Sequence, residues 1–124
     1  MPSTQELYGY PESDWKVFRE LREVALERFC ESVFDGIEAF RQDTHLSHHA
    51  RYLALFRWLG ERNQELALAF NEPKRSQMLS QLIAIRALDL LESEELMRFT
   101  RETRERVETL AKEYSFQRRV GTRG

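Results

Sequence analysis

His45, His48 and His49 are the three histidines of this chain and lie within five residues, the densest potential for proton transfer or metal binding in the sequence. His48 and His49 are adjacent, so on a helix they diverge by about 100° and do not readily share an ion. His45 and His48 are three apart and share a face if the helix starts early, which makes them the candidate metal ligands. The simpler reading is that all three are structural or solvated residues at a helix start. No Glu-x-x-His occurs anywhere, so the many carboxylates of residues 20–38 do not combine with histidine in the pattern of a bundle di-metal centre. No cofactor is expected.

Other residues with chemical potential are weaker candidates. Arg41 and His48 are separated by six residues, a spacing found in some helical ribonucleases, but the pair spans an expected connection at Asp43-Thr44 and so comes from two elements. Cys30 is the one cysteine; it cannot form an internal disulfide, fits a reducing cytoplasm, and its apolar helical setting predicts a small buried thiol rather than a nucleophile. There is no glycine-rich phosphate loop, no nucleophile elbow and no cysteine pair for zinc. Arg101, Arg104 and Arg106 alternate with Glu102, Glu105 and Glu108, which weakens the phosphate attraction that a DNA-binding helix needs.

The elements that position these residues are all helical. The stretch Ser76 to Leu91 has apolar residues all round and predicts a buried central helix following Pro73. Within it Arg86 and Asp89 are expected to be buried polar groups, with Arg86 paired to Asp89 or to a carboxylate of another helix. A first helix is expected from Ser13 or Asp14 to about Phe40. Its face of Phe18, Leu21, Ala25, Phe29, Val33 and Phe40 opposes Glu20, Glu23, Glu27, Glu31, Asp35 and Glu38. Gly36 lies on the apolar side, where lack of a side chain permits close approach of another helix.

Ser47 is expected to cap a second helix reaching Phe70 or Asn71, with a core stripe of Tyr52, Leu55, Phe56, Leu59, Leu66 and Phe70. Asn63 sits inside that stripe and is expected to be a buried, hydrogen-bonded residue. Ser93 predicts a short helix to Phe99, and Thr100 a last one from Arg101 to Tyr114. Residues 1–12, with Leu7, Tyr8 and Tyr10, are expected to be an extended segment. Residues 117–124, polar and basic, are expected to be a disordered tail. The fold class is therefore a single all-α domain over residues 1–124, a compact bundle of three long helices plus one or two short C-terminal ones.

Composition narrows the function classes. The 124 residues are 41% hydrophobic and 32% charged, which is enough to bury a core and argues against disorder. No apolar run approaches the roughly 20 residues of a spanning helix, and the N-terminus lacks a basic start followed by an apolar run, so a soluble protein without a signal peptide is expected. The net charge of −2 divides into −6 over residues 1–97 and +4 over 98–124, a modest asymmetry that argues weakly for nucleic acid. Apolar residues lie off the main stripes: Val17, Val24 and Phe34 on the first helix, Leu53, Trp58 and Leu68 on the second. These predict an interface, most simply that of a homodimer. The expectation is a non-catalytic oligomeric interaction or scaffold protein in the cytoplasm. The alternatives are a metal- or small-ligand-binding bundle, enzymatic or not, and a nucleic-acid-associated regulator acting through the basic C-terminal region.

Overall fold

The computed structural model describes residues 11–121, with side chains to Ser115. Among these residues every regular element is helical. They are α1 (Glu12–Gln42), α2 (His48–Ala69), a 3₁₀ turn (Arg75–Gln77), α3 (Met78–Ala87), α4 (Ser93–Leu96) and α5 (Arg101–Gly121). The all-α class holds, but the lengths differ from expectation: the central α3 is short, at ten residues, and the last helix, α5, is long, at 21. The expected N-terminal segment with Leu7, Tyr8 and Tyr10 lies outside the described residues, apart from Pro11 and Glu12.

The core forms where α1, α3 and α5 run side by side. Trp15, Phe18, Leu21, Ala25 and Phe29 recur every three or four residues on α1 and face Met78, Leu82, Ala84 and Ile85 of α3. Val107 and Ala111 of α5 are buried too, and α5 packs mainly on α3. The start of α3 lies beside the start of α1, where Arg75 pairs with Glu12 at 2.6 Å. The end of α3 lies beside Arg28, whose guanidinium donates to Leu90 O at 3.0 Å. α3 is thus the buried centre that its all-round apolar sequence predicts.

Several boundaries differ from expectation, each for a local reason. α3 stops at Ala87 instead of running to Leu91. Asp89 takes a left-handed conformation, φ 61°, and the amides of Asp89 and Leu90 bond back to Arg86 O and Ile85 O. This is the double-bonded helix terminus normally built on glycine, with buried Leu90 as its apolar contact. Asp89 is therefore exposed rather than a buried partner of Arg86. Arg86 Nε instead meets Glu108 of α5 at 3.2 Å. Its other nitrogens donate to Leu91 O and Ser93 Oγ.

α1 begins at Glu12, one or two residues before the expected caps, because Asp14 serves another helix. Its buried carboxylate accepts from Thr100 N at 2.8 Å, Thr100 Oγ1 at 2.7 Å and Thr103 Oγ1 at 2.6 Å. A carboxylate there satisfies free amides and complements the positive end of α5. The backbone of α5 stays helical to Gly121, beyond the expected end at Tyr114. The expected tail from residue 117 is thus helical as far as it is described, and residues 122–124 lie outside.

α4 is tied to α1 by a bidentate pair, Arg28 to Glu95 at 2.6 and 3.0 Å. Glu95 also accepts the amide of Glu92 at 2.8 Å, closing a capping box. The Arg28 guanidinium, with the Glu92 amide, holds the Glu95 carboxyl below the usual carboxylate range.

Two predictions follow from these anchors. Asp14→Ala, which strands two hydroxyls and an amide, lowers stability in urea melts by about 2–4 kcal/mol, and Asp14→Asn by less. A loss below about 0.5 kcal/mol would show that Asp14 does not hold α5 to α1. For Glu95, a folded pKa below the unfolded value means that its contribution is full above about pH 4.3 and is lost as pH falls through the folded value. Glu95→Gln therefore costs about 1 kcal/mol at pH 7, discounted for the partial exposure of the pair. It should also flatten the acid limb of the stability curve. An unchanged acid limb would contradict the pairing.

Candidate functional site

Beyond Phe29 the body ends, but α1 continues to Gln42 and α2 returns antiparallel to it. No residue from Cys30 to Leu68 is fully buried. This half of the molecule is a two-helix arm in which α1 and α2 pack on each other, while α2 packs equally on α3 and Val33 and Leu66 rest against the core. Its construction depends on Gly36, where a Cβ would lie 2.3 Å from Trp58 Cη2 and 2.5 Å from Cζ2. The indole occupies the space that glycine leaves, with Phe40 on one side, ring centroids 5.5 Å apart, and the Arg62 guanidinium 5.6 Å over the ring. Close approach at Gly36, expected from sequence, is the observed arrangement.

That contact decides which face of α2 is inward. Leu55, Trp58, Arg62, Glu65, Leu66 and Ala69 face α1 and the body and are half-buried or buried. The stripe read from sequence overlaps this face: its Leu55, Leu59, Leu66 and Phe70 are half-buried, whereas Tyr52 and Phe56 lie on its outer edge. Tyr52 is consequently 62% exposed and Phe56 70% exposed. Asn63 is an exposed surface residue, not a buried polar one. Trp58, expected either under an arginine or another element or between copies, spends its ring inside the chain beneath Arg62.

The remaining interface candidates separate into two surfaces. Leu53 and Leu68, 46% and 59% exposed, share the outer side of α2 with Phe56. Phe34, 70% exposed, stands among the carboxylates on the far side of α1, with Val24 on an adjoining face, and Val17 packs on the core. The two outer surfaces point in opposite directions. Cys30 is exposed rather than buried, because it lies about 100° around the helix from buried Phe29.

The tip of the arm carries the histidines. Asp43 Oδ1 accepts the His45 amide at 3.0 Å, and Ser47 Oγ caps α2 by accepting from Ala50 N at 3.1 Å. Arg51 ties the turn together, donating to Arg41 O at 2.6 Å and Leu46 O at 3.4 Å. His45 lies in the turn and His48 opens α2, and both are exposed. Among the described residues no three His, Cys, Asp or Glu side chains are grouped to hold a metal. Arg41 and His48 line one open hollow of about 240 Å³ with Ile37, Phe40, Arg51, Tyr52 and Leu55. They reach it from different helices, in a site open to water.

In the basic C-terminal region Arg101 pairs with Glu105 at 2.8 Å, and Arg98 of the preceding loop pairs with Glu20. Among the described residues no helix is long and apolar enough to cross a membrane. Comparisons with protein-family models, curated proteins and solved structures find no match. The arm's geometry and chemistry therefore carry the functional reading. What they offer is a projecting pair of helices, apolar on its inner seam and again on the outside of α2.

Gly36→Ala tests the arm's construction. Alanine is favoured over glycine in a helix by about 1 kcal/mol, but overpacking against a rigid ring costs about 1–3 kcal/mol. The expected result is a net loss of about 1–2 kcal/mol in denaturant melts; a gain would mean that the helices do not meet at Trp58.

Proposed function

We propose that this chain is a non-catalytic interaction or scaffold protein, acting in the cytoplasm as a homodimer joined through its arm. One observation carries the reading: α2 holds Trp58 against α1 on one side and exposes Tyr52, Leu53, Phe56 and Leu68 on others. Large apolar side chains grouped on one exposed surface mark places of association, whereas scattered single ones do not. The outer surface of α2 is a group of this kind; Phe34, alone among acids, is not. Symmetric pairs are the commonest way for identical chains to cover such a surface. The cytoplasmic placement rests on the lone, exposed Cys30, which fits a reducing compartment.

Light scattering at tens of micromolar is expected to give twice the chain mass of 14.8 kDa. Phe56→Glu should return it to one chain mass with helix content unchanged, because a central aromatic anchor often contributes about 2 kcal/mol or more to an interface. Phe34→Glu should leave the dimer intact. A wild type at one chain mass would reject the proposal.

A further inference from the structure

We propose that the hollow near the tip of the arm binds a small phosphate monoester, its phosphoryl group held by Arg41, His48 and Arg51 and its apolar part against Phe40 and Leu55. Such a site is filled whether or not the arm associates with another copy.

Two short runs at helical spacing build the hollow. On α1 these are Ile37, Phe40 and Arg41, and on α2 they are His48, Arg51 and Leu55, each run stepping by three or four residues along one helix face. The two faces border a space of about 240 Å³. Phe40 and Leu55 are half-buried and supply its apolar part, while Arg41, His48 and Arg51 supply its polar part.

The charge of the lining has one sign. No carboxylate borders this space, whereas hollows elsewhere on the molecule mix signs: Glu20 and Glu23 beside Pro73, Asp89 and Glu92 beside Leu91, and Glu65 beside Ala87. Among the described residues neither Arg41 nor Arg51 takes part in an ion pair. Nearby acids are engaged elsewhere: Asp43 accepts the His45 amide at 3.0 Å, and Glu38 accepts from Gln42 Nε2 at 2.9 Å. Two guanidiniums that border one space without a carboxylate repel each other, and an anion between them relieves that repulsion.

Part of the donor set is fixed before a ligand arrives. Arg51 donates from Nη1 to Arg41 O at 2.6 Å and from Nη2 to Leu46 O at 3.4 Å. Each of these nitrogens keeps one further N–H. Phe40 is braced by Trp58, ring centroids 5.5 Å apart. The Arg41 side chain makes no hydrogen bond among the described residues, so it can close on an incoming anion without breaking a contact. Three donor groups from two helices suit a tetrahedral dianion, which accepts on several sides, better than a planar carboxylate.

Proton NMR of the histidine rings, with phenyl phosphate as the probe, tests the site. Of the three histidines His48 alone borders the hollow; His45 lies in the turn, and His49 points about 100° away around α2. Millimolar phenyl phosphate is expected to shift the His48 ring signals saturably and those of His45 and His49 little. Inorganic phosphate should bind more weakly, and phenol should leave the signals unmoved. Arg41→Gln, which removes no hydrogen bond of the fold, should raise the phenyl phosphate Kd about tenfold or more with helix content unchanged. Arg57→Gln, on an exposed part of α2 outside the hollow, should leave the Kd as it is. No saturable shift of His48, equal shifts of His48 and His49, equal weakening by Arg41→Gln and Arg57→Gln, or phenol binding as tightly as phenyl phosphate would each overturn the proposal.

Discussion

α1 is three times as long as the helix that supports it. Its 31 residues extend about 46 Å, against about 15 Å for the ten residues of α3. A buried helix this short fixes the size of the body, and whatever extends past it must find other partners. Along α1 the consequence is plain: Trp15, Phe18, Leu21, Ala25 and Phe29 are buried, and from Cys30 onward nothing on that helix is fully so. The outer half of α1 is partnered chiefly by α2, and two helices cannot enclose a core. The arm therefore keeps apolar surface in water, and the proposed association follows from that geometry.

Within the arm the critical choice is made at Gly36. The contact between Gly36 and the Trp58 ring turns α2 so that one apolar face is used inside the chain and the other is left outside. The body and the arm thus differ in kind. In the body, polar side chains collect the loose ends: Asp14 holds the start of α5 and Glu95 closes α4. Arg22 donates to Phe70 O and Asn71 O, and Gln81 to Asn71 O and Glu72 O. Few such cross-links join the outer parts of α1 and α2. Local opening should therefore begin in the arm, where buried apolar contacts are sparse.

The amount legible in the sequence varied with how many faces of each helix are apolar. α1 has one apolar stripe opposed by acids, so its core face, Phe18 through Phe29, could be read directly. The all-round apolar pattern of α3 announced burial but not where the helix ends, because Asp89 holds a left-handed position that glycine would have signalled. α2 was legible only in part: Leu55, Leu59, Leu66 and Phe70 are half-buried as the stripe predicts, but Trp58 and not Phe56 completes the inner face, because periodicity does not rank two apolar faces. The deciding residue, Gly36, is 22 positions away on another helix. Asn63 and Cys30 were misplaced because both lie off the buried face of their helices, Cys30 about 100° around α1 from Phe29. The exposed apolar residues of α2, Tyr52, Leu53, Phe56 and Leu68, were present in the sequence throughout. They become visible as a surface only once Trp58 has fixed the orientation of the helix.

The central claim is that the outer face of α2 is covered in solution by another copy. Hydrogen exchange of backbone amides, followed by mass spectrometry across a wide dilution series, addresses it without altering any residue. The account predicts that amides of residues 49–67 gain protection as protein concentration rises through the dimer Kd, while those of α3 stay equally slow throughout. Protection of residues 49–67 that does not depend on concentration, or a concentration-dependent change confined to α5 or to the outer side of α1, would contradict it.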